Sequence, residues 1–83
     1  MKIIEPHSNT GWITVEIDGY EVEAKVYDNP SSFGINGGRV SKMVIRKQNK
    51  AIYNYDRGLD FSKVSEKLVN KIVSDLETLP NCC

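Results

Sequence analysis

Apolar and polar residues alternate without a break on both sides of Asp18-Gly19. The Asp-Gly dipeptide is a strong signal for a two-residue hairpin turn, because both positions take positive φ angles. The pattern predicts a hairpin over residues 11–27, in which Val15 lies opposite Val22 and Ile13 lies opposite Ala24. One face of this hairpin is then apolar and the other is polar and acidic, as expected for a half-buried antiparallel pair.

A second alternating stretch predicts another hairpin, over residues 39–57, that turns near Gln48-Asn49. Two registers are compatible with this stretch. A two- or four-residue loop pairs Ile45 with Ile52, whereas a three-residue loop pairs Ile45 with Tyr53. The alternation does not decide which face of this hairpin meets the core.

The apolar spacing then changes from two residues to three and four, which predicts one helix over residues 60–78. Asp60 or Ser62 is the predicted N-cap, and Pro80 lies beyond the end of the helix. The apolar side of the helix is formed by Phe61, Val64, Leu68, Ile72 and Leu76.

These elements predict a single α+β domain over residues 1–83. It is a four-stranded antiparallel meander, in the order β-β-β-β-α, with one C-terminal helix packed on the sheet. Residues 1–10 form an N-terminal segment, of which residues 1–5 can add a short edge strand, and residues 28–38 form a Gly-rich loop between the hairpins. A chain of 83 residues, 40% of them hydrophobic, can bury one small core.

Positive and negative charges are balanced in number but unevenly distributed. Eleven acidic residues stand against eleven basic ones, and this zero net charge argues against nucleic acid as a partner. Residues 1–28 carry six acidic side chains and two lysines, whereas residues 29–55 carry five basic side chains and no acidic one. The distribution predicts an acidic first hairpin and a basic second hairpin. Two copies whose unlike hairpins pair would form a homodimer or a higher homo-oligomer.

No apolar run approaches the roughly 20 residues that a membrane span needs, and the N-terminal MKIIEPHS lacks an apolar signal-peptide core. We therefore expect a cytoplasmic protein with no membrane partner. The two cysteines, Cys82 and Cys83, are adjacent, so they cannot staple the fold, and they match no metal-ligand spacing. We expect them to be reduced thiols.

The residue types that catalysis requires are poorly represented. His7 is the only histidine, and no nucleophile or orienting partner stands at motif spacing from it. Glu16 and Glu21 face each other across the first hairpin, where a solvated acidic face accounts for them. No group of Cys, His, Asp or Glu has metal-ligand spacing. The sequence therefore predicts a non-enzymatic protein with no cofactor and no metal.

The stretch GINGGRVSK, which begins at Gly34, is the main candidate for a binding site. Consecutive glycines allow backbone N–H groups to converge on an anion, and basic side chains that follow add positive charge. The stretch is not a P-loop, since the lysine-serine pair and the following helix are absent. A hairpin connection that needs positive φ would look the same, so both interpretations stay open. The candidate donors are Asn36, Gly37, Gly38, Arg39, Ser41 and Lys42.

Aromatic residues flank this loop. Trp12 and Tyr27 lie on the polar face of the first hairpin, near the end from which the loop leaves, and Phe33 lies within the loop. A purine or nicotinamide ring could stack on them while cations hold its phosphate. Alternatively, the rings cover a small apolar cluster under the loop. Arg57 fits either a turn ion pair with Asp56 or a contact to the same ligand.

Two stretches, AKVYDNPSSFGINGGRVSKMVIR and NYDRGLD, are similar to a family of short, uncharacterised proteins from bacteriophages and mobile elements of Gram-positive gut bacteria. The resemblance covers residues 12–76 and is strongest at 24–46 and 54–60. The family offers no established catalytic residues to transfer. It implies a phage setting, in which small proteins often sequester a nucleotide immune signal or block a defence protein.

The function we expect is that of a non-enzymatic counter-defence protein in the cytoplasm of an infected bacterium. It would sequester a small anionic, nucleotide-like signal of the cyclic nucleotide or cyclic ADP-ribose type. The alternative is a protein–protein inhibitor that docks on a host defence protein such as a CRISPR effector, since complementary charge also steers protein encounters.

Overall fold

The computed structural model describes residues 1–5, 11–27 and 29–78. These residues form one antiparallel sheet, whose six strands are neighbours in chain order, and one α-helix. The predicted α+β meander with a C-terminal helix is confirmed, but the predicted number of four strands is wrong. The strands are β1 (Lys2–Glu5), β2 (Trp12–Ile17), β3 (Tyr20–Val26), β4 (Val40–Lys47), β5 (Lys50–Asp56) and β6 (Leu59–Ser62), and the helix is α1 (Glu66–Glu77).

The first hairpin, β2–β3, has the predicted turn and register. Asp18 and Gly19 both have positive φ angles, of 53° and 84°. Val15 pairs with Val22, and both side chains are fully buried on the face that meets the helix. The prediction is confirmed because a two-residue turn fixes the pairing, and the apolar alternation fixes which face is buried.

The second hairpin, β4–β5, combines features of the two registers that the sequence left open. Its turn has two residues, Gln48 and Asn49, with φ angles of 53° and 64°. Ile45 nevertheless pairs with Tyr53, as a three-residue loop would give, because the register shifts between Ile45 and Arg46. This β-bulge leaves one residue of β5 unpaired. Ile45 and Tyr53 are both buried, so their face meets the core.

The stretch at residues 59–62 is a strand and not the start of the helix. β6 pairs antiparallel with β5, with Phe61 opposite Asn54, so Asp60 and Ser62 do not cap the helix. The N-cap is Ser65, whose Oγ accepts a hydrogen bond from the Leu68 N–H at 3.2 Å. The helix is therefore shorter than predicted and begins at Glu66.

The N-terminal residues add the edge strand that the sequence allowed. β1 pairs with β2, and its four residues are all exposed. Residues 6–10 lie outside the described residues, as do Asp28 and residues 79–83. The predictions for His7, Pro80, Cys82 and Cys83 therefore lie outside the described residues as well.

The core lies between one face of the sheet and the helix. The helix buries Val69, Ile72, Val73 and Leu76 against strands β2 to β5. The other face of the sheet carries no helix among the described residues. The side chains that form the sheet's part of the core are Ile13, Val15, Ile17, Val22, Ala24, Val26, Val40, Met43, Ile45 and Tyr53.

The acidic and basic hairpins meet within one chain. β3 pairs with β4, which places Arg46 3.6 Å from Glu21 and 3.5 Å from Glu23, measured between guanidinium nitrogens and carboxylate oxygens. The expected dipole between the hairpins is therefore partly cancelled inside the domain. β3 and β4 are internal strands of the sheet, so their edges pair with each other and with β2 and β5 of the same chain. A homodimer in which unlike hairpins of two copies meet stays a prediction.

Candidate functional site

The Gly-rich loop folds as a compact turn around a 3-10 helix at Ile35–Gly37. The Gly37 N–H donates to the Gly34 carbonyl and the Gly38 N–H donates to the Ile35 carbonyl, each at 3.0 Å. Both N–H groups are thus engaged by carbonyl groups of the loop itself and are not free to donate to an anion. The expected anion-binding arrangement of Gly37 and Gly38 is therefore not the one that the loop adopts.

Arg39 joins the end of this loop to the end of the helix. Its Nε donates to Glu77 Oε1 at 3.1 Å, and its Nη2 donates to the Glu77 carbonyl at 2.9 Å. The Arg39 backbone N–H donates to Glu77 Oε2 at 2.7 Å. Only 10% of the Arg39 side chain is exposed. We therefore assign a structural role to Arg39, which the sequence analysis had named among the candidate ligand donors.

Two further candidate donors have partners within the domain. Lys42 Nζ lies 3.6 Å from Asp56 Oδ1, so Asp56 pairs with Lys42 across the β4–β5 ladder and not with Arg57. Asn36 Nδ2 donates to Asn70 Oδ1 at 3.3 Å, which places Asn36 beside the helix. It lines a groove of about 340 Å³ near the start of the helix, away from the other candidates.

Four predicted site residues meet in one open cleft at the end of the sheet. The cleft measures about 570 Å³, and Tyr27, Phe33, Ser41 and Arg57 all line it. Tyr27 follows β3, Phe33 lies in the loop, Ser41 lies in β4, and Arg57 lies in the turn between β5 and β6. Chain segments far apart in sequence thus bring two aromatic rings, a hydroxyl and a cation together. The cleft is completed by Asn29, Pro30 and Ser31, which the sequence analysis did not single out.

Arg57 supplies the positive charge of this cleft. It has a positive φ of 56°, and its backbone N–H donates to the Ser41 carbonyl at 2.8 Å, which fixes the turn against β4. The guanidinium carbon lies 5.9 Å from the centre of the Phe33 ring. Within residues 1–5, 11–27 and 29–78, no acidic side chain forms an ion pair with Arg57. Its charge is therefore available to an anion.

Ser41 places a hydroxyl group in the wall of the cleft. Lys25 pairs with Lys42, and Val26 pairs with Val40, so Ser41 is the extra residue of a β-bulge. Ser41 is 1% exposed, and its Oγ has no hydrogen-bond partner in the part of the chain that the structure describes. A buried hydroxyl without a partner is unfavourable by about 1 to 3 kcal/mol, so its presence requires an explanation.

Tyr27 also lines the cleft and carries a perturbed phenol. The neighbouring Lys25 ammonium, and secondly the Ser41 hydroxyl, lower the pKa of the Tyr27 phenol below its ordinary value of 10.0. The Ser41 hydroxyl lies beside Tyr27 but forms no hydrogen bond with it. Lys25 Nζ also lies 5.2 Å from the centre of the Tyr27 ring. Positive charge therefore surrounds this ring.

The loop side of the cleft is held in place by Tyr55. Its hydroxyl donates to the Phe33 carbonyl at 3.0 Å, while the Phe33 ring remains 55% exposed. Trp12, which was expected beside Tyr27, is half-buried opposite Lys25 and does not line the cleft. Two of the three predicted rings, Tyr27 and Phe33, thus line the cleft.

The fold and the cleft define a small α+β domain with one candidate site for an anionic ligand. The chain belongs to the DUF7678 family, described as a domain of unknown function, which matches residues 10–77. No curated protein and no solved structure matches the chain. Among the described residues, no helix is long and apolar enough to cross a membrane. The same residues contain no group of three Cys, His, Asp or Glu side chains placed to hold a metal ion.

Proposed function

We propose that this domain binds a small anionic ligand that carries a planar ring, such as a nucleotide, in the cleft between Tyr27, Phe33, Ser41 and Arg57. The observation that carries the proposal is one cleft that combines two exposed rings with a cation and a buried hydroxyl that both lack a side-chain partner among the described residues. The buried hydroxyl is unfavourable without a partner, and the Arg57 charge is not neutralised by any acidic side chain that the structure describes. A ligand with complementary groups would satisfy all of them together.

Arg57 would hold the phosphate or carboxylate of the ligand. Hydrogen bonds from an arginine to an anionic oxygen are charge-assisted and stronger than neutral ones, and the planar guanidinium can make two in parallel. Among the described residues that line the cleft, Arg57 is the one cation, so a ligand with one phosphate group fits the cleft better than a triphosphate. Lys42 could add charge, but only by weakening its contact to Asp56.

Tyr27 and Phe33 would take the ring of the ligand. Their side chains are 41% and 55% exposed, so each ring has a free face, and stacking of a base on an aromatic side chain contributes about 1 to 3 kcal/mol. A small movement of the exposed Tyr27 ring would open Ser41 Oγ to a polar group of the ligand. The binding energy then comes from different chemical groups on three sides of the cleft.

The biological role that we propose follows the resemblance to phage and mobile-element proteins. A protein that captures a nucleotide-like immune signal, of the cyclic nucleotide or cyclic ADP-ribose type, would need tight binding without turnover. The cleft offers contacts for the charge and for the ring of such a signal. Capture without turnover requires no general base. The host compartment would be the bacterial cytoplasm.

Thermal unfolding of the full chain tests this proposal. We would compare AMP, cyclic AMP, cyclic dinucleotides and cyclic ADP-ribose with adenosine and inorganic phosphate, which carry the ring and the charge separately. A ligand at a hundred times its dissociation constant stabilises the native state by about 2.7 kcal/mol. At least one nucleotide should raise the melting temperature more than adenosine or phosphate does. Equal shifts, or none with any nucleotide, would contradict the proposal.

A second candidate function uses the same residues on a protein partner. Exposed aromatic rings beside an arginine are the side chains that most often dominate binding energy in protein interfaces. The domain would then dock on a host defence protein such as a CRISPR effector. Binding of a purified effector that is lost in Phe33→Ala, with no nucleotide bound by the wild-type chain, would favour this candidate.

A further inference from the structure

We propose that strand β1 pairs with β1 of a second copy of this chain, antiparallel about a two-fold axis, so that one sheet runs through both copies. β1 is the first strand in the sheet order, and its outer edge pairs with no other strand among the described residues. An edge strand presents unpaired N–H and C=O groups that can bind another strand. This inference is independent of the cleft.

The composition of β1 differs from that of a protected edge. Edge strands commonly carry charged residues along their length, which disfavour pairing. In β1 the charges stand at the two ends, Lys2 and Glu5, and two isoleucines lie between them. Ile3 is 49% exposed and Ile4 is 47% exposed, so apolar area remains to be covered.

The sequence of β1 is complementary to itself. If the two-fold axis passes between Ile3 and Ile4, Lys2 lies opposite Glu5 of the second copy, and Ile3 lies opposite Ile4 of the second copy. The symmetry then makes each of these pairs twice, as in any two-fold interface. Opposite charges and apolar residues directly across an antiparallel pair are both favourable.

The bulge in β1 allows this charge pairing on one face of the sheet. Residues three apart in a regular strand point to opposite faces. Here Lys2 pairs with Glu16 and Glu5 pairs with Thr14, and these two β2 residues share one face because they are two apart. Lys2 and Glu5 therefore lie on the polar face of both copies. Both copies carry the bulge between the same residues. The spacing between Lys2 and Glu5 is therefore the same in each copy, and both charge pairs can form at once.

The opposite edge, β6, lacks this complementarity. The same symmetric pairing would place Leu59 opposite Ser62 and Asp60 opposite Phe61 of a second copy, so neither pair matches in charge or polarity. This difference is the reason to assign the interface to β1.

Sedimentation equilibrium of the full chain and three variants tests the inference. The wild type should show a concentration-dependent monomer–dimer equilibrium. Lys2→Glu places like charges opposite each other twice, and should weaken the dimer about tenfold. The double variant Lys2→Glu/Glu5→Lys exchanges the two charges and should restore the wild-type dissociation constant. Lys63→Glu, which reverses a lysine beyond β6 at the other edge, is the matched control and should have no effect.

Melting temperatures of the same variants check that each remains folded. A wild-type chain that stays monomeric up to millimolar concentration would overturn the inference. So would a double variant whose dimer dissociates as readily as that of Lys2→Glu, because the charge pair between copies is then absent. A loss of dimer in Lys63→Glu equal to that in Lys2→Glu would also overturn it, since the effect would follow net charge and not β1.

Discussion

The helix-covered side of the domain and the open cleft each hold an arginine and a tyrosine, in opposite environments. Arg39 is nearly buried and bound to Glu77, whereas Arg57 is exposed beside an aromatic ring. Tyr53 is buried and has a raised pKa, mainly because burial disfavours its phenolate, whereas Tyr27 is exposed and has a lowered pKa. The same residue types thus stabilise the fold in one region and remain available to a ligand in the other.

The comparison shows that a cation after a run of glycines does not by itself define an anion site. Arg39 follows Gly37-Gly38 directly, yet its partner is a carboxylate 38 residues away. Arg57 follows no glycine run, but the folded chain leaves it without an acidic partner among the described residues. The distribution of partners, and not local sequence, distinguishes the structural Arg39 from Arg57, the candidate for ligand binding.

The largest effect that we expect is on the loop that both regions share. A Cβ on Gly34 would collide with the Gly38 carbonyl oxygen, and backbone cannot move aside cheaply. Gly34→Ala should cost about 3 kcal/mol of stability, which lowers the melting temperature by roughly 12 to 24 °C in a domain of this size. Thermal unfolding measures it.

Gly37→Ala is the matched control for that substitution. Gly37 has a φ of +71° with no atom near the added Cβ, so only backbone strain of about 1 kcal/mol is expected. Equal losses in the two variants would mean that the close approach of Gly34 to Gly38 does not exist in solution.

Arg39→Ala should destabilise the domain without touching the cleft. It leaves the Glu77 carboxylate without its guanidinium partner, and breaking a buried ion pair costs 3 to 5 kcal/mol when both groups are fully buried. The Glu77 side chain is 30% exposed, so we expect a smaller loss of about 2 kcal/mol. Urea denaturation of Arg39→Ala and Glu77→Gln measures this loss, and Glu77→Gln should cost less because the amide oxygen still accepts. An unchanged unfolding midpoint for Arg39→Ala would show that the contact is not structural.

Ser41→Ala should separate function from stability. It removes a buried hydroxyl that lacks a partner among the described residues, so the free energy of unfolding should stay the same or rise by up to about 1 kcal/mol. Ligand affinity should fall, because one polar contact of the cleft is lost. A loss of stability on urea denaturation would show that the hydroxyl has a structural partner.

The two tyrosines should ionise in a fixed order on alkaline titration. Tyr27 should lose its proton with a pKa below 10.0, and Tyr53 with a pKa above 10.0. Ultraviolet difference spectroscopy follows both ionisations. The pKa of Tyr53 is raised in the folded state. Its contribution to stability is therefore present below pH 10.0 and is lost as pH rises through the folded-state pKa. The pKa of Tyr27 is lowered in the folded state. Its contribution to stability is therefore present at high pH and is lost as pH falls through the folded-state pKa.

Tyr27→Phe should remove an ionisation below pH 10.0, and Tyr53→Phe should remove one above pH 10.0. If Tyr27→Phe instead removes an ionisation above pH 10.0, the Tyr27 phenol does not lie beside the Lys25 ammonium in solution.

The central part of the fold was predictable because its signals are local. Asp18-Gly19 and the alternation around it fixed the first hairpin, and the turn at Gln48-Asn49 was also located correctly. β6 was missed because Phe61 fits the helical spacing that continues to Leu76, so a short edge strand was read as the first helical turn. The bulge in the second hairpin was not predictable, since one extra residue changes no local composition.

The candidate site was predictable in part for the same reason. Tyr27, Phe33, Ser41 and Arg57 could be chosen by residue type, and the structure brings these four together. The roles of Arg39, Lys42 and Asn36 could not be predicted, because each depends on a partner from another element. Glu77 in particular belongs to the helix, and no local spacing connects it to the loop.

Calorimetric titration of AMP into the wild-type chain, Arg57→Ala and Arg39→Ala tests the comparison between the two arginines most directly. It is performed at a temperature where all three proteins are folded, with Lys50→Ala as a control that removes the same charge at the β4–β5 turn. We predict that Arg57→Ala weakens binding about ten- to a hundredfold, because it loses a charge-assisted contact, and that the other two variants bind as the wild type does. An affinity that falls in Arg39→Ala as much as in Arg57→Ala would contradict the account.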